Sequence, residues 1–141
     1  MRQALGLIEA IGLATAIEAA DAAVKSANVK LLGVEPCKGN GMHTIKLLGD
    51  VGAVKAACEA GSAACAKGRG VFSVKVIPRP ADGLAPYIFN DQTIGFNAEE
   101  VKKDLGVADY WNFEKYSQLK PTRGSKKAIA DPKHSREDNK N

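Results

Sequence analysis

Hydrophobic and polar residues follow two different periods along the first part of the chain, and together they predict six elements. Four stretches alternate between apolar and polar residues or are mostly apolar, which predicts strands at 4–10, 29–35, 42–48 and 71–77. Two intervening stretches carry apolar residues three and four positions apart, which predicts helices. The first helix covers residues 13–25, and the second begins after Asp50, whose carboxylate suits an N-cap.

Each predicted helix carries one apolar stripe, which we expect to face the core. In the first helix the larger apolar residues Leu13, Ile17 and Val24 share the stripe with Ala20. The stripe of the second helix consists of Val51, Val54, Cys58, Gly61 and Cys65. We expect this second helix to end at the glycines of 68–70, because glycine is the usual residue after a helix C-terminus.

The order of elements is β-α-β-β-α-β, with a hairpin between the second and third strands. This order predicts a ferredoxin-like α+β fold with a four-stranded antiparallel sheet and two helices on one face. The fold by itself does not indicate an activity, because many unrelated proteins share it.

The pattern weakens beyond residue 80. We predict a folded domain over residues 1–89, a short helical and aromatic appendage over 90–118, and a disordered tail over 119–141. Within the appendage, a capping box at Asn97–Glu100 predicts the start of a helix. Aromatic residues follow between 110 and 116. The tail is charged and has too few large apolar residues to offset the entropy of ordering.

The net positive charge of the chain lies in this tail. Residues 120–141 contain seven basic and three acidic residues, a net +4 that equals the net charge of the whole chain. Residues 1–119 are therefore neutral overall, and a solvated tail, or one that anchors to a protein partner, is favoured over nucleic-acid binding. There is no long apolar run and no signal-peptide pattern, so we expect a soluble, cytoplasmic protein that does not cross a membrane.

Several motifs in the predicted domain resemble one protein family. They are Ala4–Glu9, Gly12-Leu13, Ala16–Asp21, Val24–Val29, Gly49–Val54 and Val76–Pro80. In sequence and spacing they resemble the bacterial microcompartment shell proteins of the single-domain hexameric class. The resemblance covers roughly residues 3–88 and does not extend to the C-terminal extension, residues 90–141.

This resemblance implies a structural protein rather than an enzyme. It implies a cyclic homohexamer that tiles with other shell proteins into the sheets of a microcompartment in the cytoplasm. The family pore is lined by the loop between the second and third strands, which here contains Lys38, Gly39, Asn40 and Gly41. Six Asn40 amides around the axis would suit small polar metabolites.

The same resemblance places Lys25, Asn28 and Arg79 at the hexamer edge, where tiles meet. The C-terminal extension lies beyond the family's usual end and is a candidate contact for encapsulated enzymes. No cofactor is expected.

One alternative concerns Cys37, which lies in the pore loop. Copies gathered by symmetry could ligate an iron–sulfur cluster or another metal, which would make the protein a ligand carrier or electron-transfer module. The simpler interpretation is a small loop residue. Cys58 and Cys65 are expected to be buried apolar residues, and their spacing with Cys37 matches no zinc or disulfide framework. A ring-forming scaffold whose tail binds nucleic acid is a third possibility.

Overall fold

The structure is a computed structural model and describes residues 3–96. Its elements are β1 (Ala4–Ile11), α1 (Leu13–Ser26), β2 (Val29–Pro36), β3 (Met42–Gly49), α2 (Val51–Ala64), β4 (Val71–Ile77), a 3-10 turn (Asp82–Leu84) and α3 (Ala85–Ile88). The predicted order is confirmed, and β1, α1, β2 and β3 each extend one residue further than predicted.

The four strands form one antiparallel sheet in the order β2-β3-β1-β4. The central strand β1 pairs with β3 from Ala4↔Gly49 to Ile11↔Met42. Both long helices pack on one face of this sheet, so the ferredoxin-like arrangement is confirmed. The strands β2 and β4 form the two lateral edges.

The core between helices and sheet is built from medium-sized strand residues and very small helix residues. Ile8, Ile45 and Leu47 are fully buried beneath the helices. The buried face of α1 consists of Thr15, Ala16, Ala19, Ala20 and Ala23. The helices can therefore approach the sheet and each other closely.

The prediction that the apolar stripe of α1 faces the core is wrong for every member except Ala20, which is buried. Leu13, Ile17 and Val24 are 52%, 58% and 38% exposed. The physical reason is space: where α1 meets α2, even a methyl group on Gly61 would lie 2.8 Å from the Ala19 carbonyl oxygen. Apart from Thr15, the inner face carries only alanine, and the larger side chains point outward.

The predicted apolar stripe of α2 is largely buried, as expected, but the start and the end of the helix differ from prediction. Val51 is 43% exposed. The helix ends at Ala64, and Cys65 is its C-cap residue. The Cys65 N–H donates to the Ser62 carbonyl oxygen three residues earlier. The glycines of 68–70 therefore do not cap the helix. At the other end Asp50 is the N-cap residue, but its side chain makes no capping hydrogen bond.

The helix-free face of the sheet has a small core of its own, which the sequence pattern did not reveal. Leu5, Leu32 and Leu48 are buried there beneath Ala85, Ile88 and Phe89. The predicted helix from Asn97, the aromatic residues of 110–116 and the tail over 119–141 lie outside the described residues.

The helix contact gives a testable prediction. A Cβ on Gly61 would lie 2.8 Å from the Ala19 carbonyl oxygen and 2.9 Å from Ile8 Cδ1, so Gly61→Ala should destabilise the fold. We expect a loss of about 1–3 kcal/mol in the free energy of unfolding, measured by denaturant titration at fixed protein concentration. Gly52→Ala in the same helix is the control, because its Cβ meets nothing within 4 Å. Equal unfolding midpoints for the two variants would contradict this account of the core.

Candidate functional site: the β2–β3 loop and the opposite end of the sheet

The β2–β3 loop is a tight turn with a defined backbone. The Cys37 N–H donates to the Met42 carbonyl oxygen at 2.8 Å and closes the loop. Gly39, Asn40 and Gly41 follow with φ of 89°, 48° and 67°. Glycine and asparagine are the residues that accept this left-handed region, so the Gly-Asn-Gly sequence determines the turn. Asn40 lies exposed at its tip, and Lys38, two residues earlier, is also exposed.

The loop is also anchored to the rest of the domain. The Gly41 carbonyl oxygen accepts a hydrogen bond from the Gly12 N–H at 3.0 Å. It also accepts one from Nδ1 of His43 at 2.9 Å, since a carbonyl oxygen can only accept. The first bond connects the loop to the β1–α1 turn, and the second gives His43 a structural partner.

Cys37 is held within the hairpin. Its Sγ lies 3.1 Å from Thr44 Oγ1 and 3.7 Å from the Glu35 carbonyl oxygen, and the residue is half-buried. Within residues 3–96 no three His, Cys, Asp or Glu side chains are grouped to hold a metal ion. An iron–sulfur cluster would therefore need Cys37 thiolates from several subunits, and these single-chain contacts leave that alternative a prediction.

The three predicted edge residues lie at the other end of the sheet from the loop. The register pairs Ala4 with Gly49, Leu5 with Ile77 and Val29 with Gly49, so these residues mark one end. At this end Lys25 lies in the last turn of α1, Asn28 directly precedes β2, and Arg79 is the second residue after β4. All three are exposed.

These edge residues differ in their surroundings. Lys25 Nζ donates to Asp21 Oδ2 at 2.6 Å, with side chains 73% and 56% exposed. Asn28 lines a polar surface cavity of about 270 Å³ together with Gln3, Lys30 and Asp50. Arg79 stands between two prolines, in the bend that follows β4.

The loop and the edge residues are thus separated by the length of the strands. The strands β1, β2 and β3 each have eight residues, which corresponds to about 26 Å at the usual rise. The sheet brings Lys25, Asn28 and Arg79 to one end and Lys38, Gly39, Asn40 and Gly41 to the other.

Two lateral flanks expose apolar side chains between these ends. On α1, residues 15, 19 and 23 face α2, because Cys65 Sγ donates to the Thr15 carbonyl oxygen and Gly61 meets Ala19 and Ala23. The stripe of Leu13, Ile17 and Val24 lies more than a quarter turn around the helix axis from the line through residues 15, 19 and 23.

The opposite flank carries a groove. On β4, Phe72 and Val74 are 67% and 40% exposed. Beside them an open groove of about 480 Å³ runs between α2 and β4, lined by Lys55, Cys58, Glu59, Ser62, Ala63, Val74 and Val76.

Sequence reasoning missed a buried lysine on the helix-free face. Lys46 is only 3% exposed, and its Nζ lies 2.5 Å from Glu35 Oε2. The available signal was one lysine between apolar neighbours in a strand that is otherwise buried at that end.

Among residues 3–96, no helix is both long enough and apolar enough to span a bilayer.

Comparisons with known proteins agree with the motifs. The BMC domain family matches residues 4–80. The bacterial microcompartment shell protein PduA of Citrobacter freundii is 57% identical over 79 residues, which cover 56% of this chain and 84% of PduA. EutM of Escherichia coli (strain K12), also a bacterial microcompartment shell protein, is 53% identical over 82 residues, 58% of this chain and 84% of EutM.

A solved structure shares the fold. The crystal structure of a microcompartment protein from Desulfitobacterium hafniense DCB superposes with a TM-score of 0.52 at 33% identity. The match covers 57% of this chain and 43% of that one, so this chain spans less than half of that structure's length.

The surroundings of the three thiols predict their reactivity. Burial, with a smaller contribution from Glu59, raises the pKa of the Cys58 thiol, and burial with Glu18 raises the pKa of Cys65. A higher pKa leaves less reactive thiolate, so iodoacetamide at about pH 8 should alkylate Cys37 at least about tenfold faster in the native protein. Peptide mass spectrometry measures this, with the protein in guanidinium as the control in which all three react alike. Native Cys58 or Cys65 reacting as fast as Cys37 would refute the assignment.

Proposed function

This chain belongs to the BMC domain family of bacterial microcompartment shell proteins, and we propose that it forms cyclic hexamers that tile into the shell around a central pore. The relatives are shell proteins of microcompartments, and one, CsoS1 of Prochlorococcus marinus, is a carboxysome shell protein. This agrees with the localisation that the motifs predicted. The proposed role is structural, with passage of small metabolites and no catalysis.

The observation that carries this proposal is the separation of two sets of residues along the strands. The loop with Lys38 and Asn40 lies at one end of the sheet, and the end with Lys25, Asn28 and Arg79 lies about 26 Å away. A subunit placed radially in a ring has one end at the axis and the other at the rim. This polarity suits a pore at the loop and tile contacts at the other end.

The two lateral flanks support ring closure. A ring requires two different surfaces on each subunit, one that fits the other surface on the neighbour. The exposed stripe of α1 is apolar, and the α2–β4 groove on the other flank is open beside Phe72 and Val74. Burial of such apolar area is the main driving force of stable subunit contacts.

The loop chemistry suits a polar pore. At the axis, six Asn40 side chains would present amide donors and acceptors without charge. Lys38, two residues earlier and also exposed, would add positive charge near the pore mouth. The hydrogen bond from the Gly12 N–H to the Gly41 carbonyl oxygen would keep this lining in a fixed position.

Contacts between tiles are proposed at Lys25, Asn28 and Arg79. The Lys25–Asp21 pair is an exposed i,i+4 pair, a type that contributes only about 0.3–0.5 kcal/mol. Lys25 can therefore exchange this partner for acceptors on a neighbouring tile at little cost. The partners proposed are other shell proteins at this edge and encapsulated enzymes at the C-terminal extension, residues 90–141.

The edge contact can be tested with Lys25→Ala. We expect hexamers of unchanged stability, because Lys25 is exposed and outside the core, but fewer and smaller extended sheets. Size-exclusion chromatography measures the hexamer, and electron microscopy measures the sheets. Lys67→Ala is the control, since Lys67 is an exposed lysine in the turn that leads from α2 to Gly70, at the end of the sheet away from Lys25. Sheets of wild-type extent from Lys25→Ala would contradict the edge assignment, and failure to form hexamers would contradict the separation of ring and edge contacts.

A further inference from the structure

Residues 85–96 form a strap across the helix-free face of the sheet. The strap begins with α3, which covers Leu5 and Leu48. It ends beside β2, where the Val34 N–H donates to the Ile94 carbonyl oxygen at 3.0 Å and the Ile94 N–H donates to the Val34 carbonyl oxygen at 2.9 Å. The strap therefore covers both the apolar face and part of the outer edge of β2.

Lys46 holds this strap from below. Its Nζ donates to the carbonyl oxygens of Tyr87 at 3.1 Å and Ile88 at 3.0 Å, and to Thr93 Oγ1 at 3.0 Å. Its fourth partner is the carboxylate of Glu35. Three of the four partners thus belong to the strap, and the Lys46 side chain is 4% exposed.

The strap depends on this lysine for its own structure. The helix α3 has four residues, too few to be stable alone. The last carbonyl groups of a helix lack partners within it and carry partial negative charge. The Lys46 ammonium group supplies both hydrogen bonds and charge for Tyr87 and Ile88 at that end.

A second set of bonds extends the contact along the strap. Asn90 Nδ2 donates to Glu35 Oε2 at 3.1 Å, and the Thr93 hydroxyl donates to Asn90 Oδ1 at 3.0 Å. Further on, a Cβ on Gly33 would lie 2.4 Å from the Ile94 carbonyl oxygen, so the strap passes directly against bare backbone. The strap is therefore fitted to β2 as well as to Lys46.

We propose that Lys46 is a lock that keeps the strap closed, and that its release opens the strap while the four-stranded domain stays folded. Opening exposes the apolar side chains of the helix-free face, Leu5, Leu7, Leu32, Leu48 and Ile77. It also exposes the N–H and C=O groups of Val34 on the edge of β2. Apolar faces and bare strand edges associate with surfaces of the same kind, so the closed strap prevents a second copy of this chain from binding there.

The inference concerns a single chain and does not depend on the proposed ring. Hydrogen exchange measured by mass spectrometry on Lys46→Met tests it. Strap peptides over 85–96 should exchange at least about tenfold faster than in the wild type, with β1 and β3 peptides unchanged. Lys75→Met is the matched control, because Lys75 is exposed on the same face and, like Lys46, pairs with Leu7. Its strap should exchange at the wild-type rate.

A second variant keeps the test decisive if Lys46→Met does not fold. Thr93→Val removes one Lys46 partner at nearly constant shape. It should speed exchange in the strap selectively and increase self-association measured by light scattering. Wild-type strap exchange in Lys46→Met, or equal acceleration of all peptides in Thr93→Val, would overturn the proposal.

Discussion

The close approach of α1 to α2 is the constraint on which the rest of the structure depends. Gly61 lies against Ala19 and Ala23, with no room for even a methyl group. The inner face of α1 is therefore lined by alanine apart from Thr15. The larger apolar residues that a small domain usually buries are left on its flanks, at Leu13, Ile17, Val24, Phe72 and Val74. In the proposed ring, neighbouring subunits would cover those flanks and bury this apolar area.

The antiparallel sheet gives the subunit a direction. Because the strands run nearly the whole length of the domain, hairpin and helix joints gather at two ends with different chemistry. One end holds a glycine-rich loop whose backbone is fixed by the Gly12–Gly41 hydrogen bond. The other holds exposed cationic and amide side chains at Lys25, Asn28 and Arg79. The proposed ring and its tiling would use that direction, since only one end of each subunit can face an axis.

Much of the fold could be predicted from sequence, because strand alternation and alanine-rich helical spacing are local signals. The buried face of α1 could not be predicted in this way. The pattern favours burying Leu13, whereas Gly61, which packs closely against Ala19, is distant from α1 in sequence. The candidate loop and edge came from motifs rather than from periodicity. The strap was missed because its order depends on Lys46, a single buried charge that binds residues more than forty positions later.

Cryo-electron microscopy of the purified full-length protein tests the radial orientation of the subunit most directly. We expect rings of six subunits in which the β2–β3 loop, with Asn40, lies closest to the axis and Lys25, Asn28 and Arg79 lie at the rim. Rings with the Lys25 end at the axis, or particles that remain single subunits at concentrations where shell proteins assemble, would contradict the account.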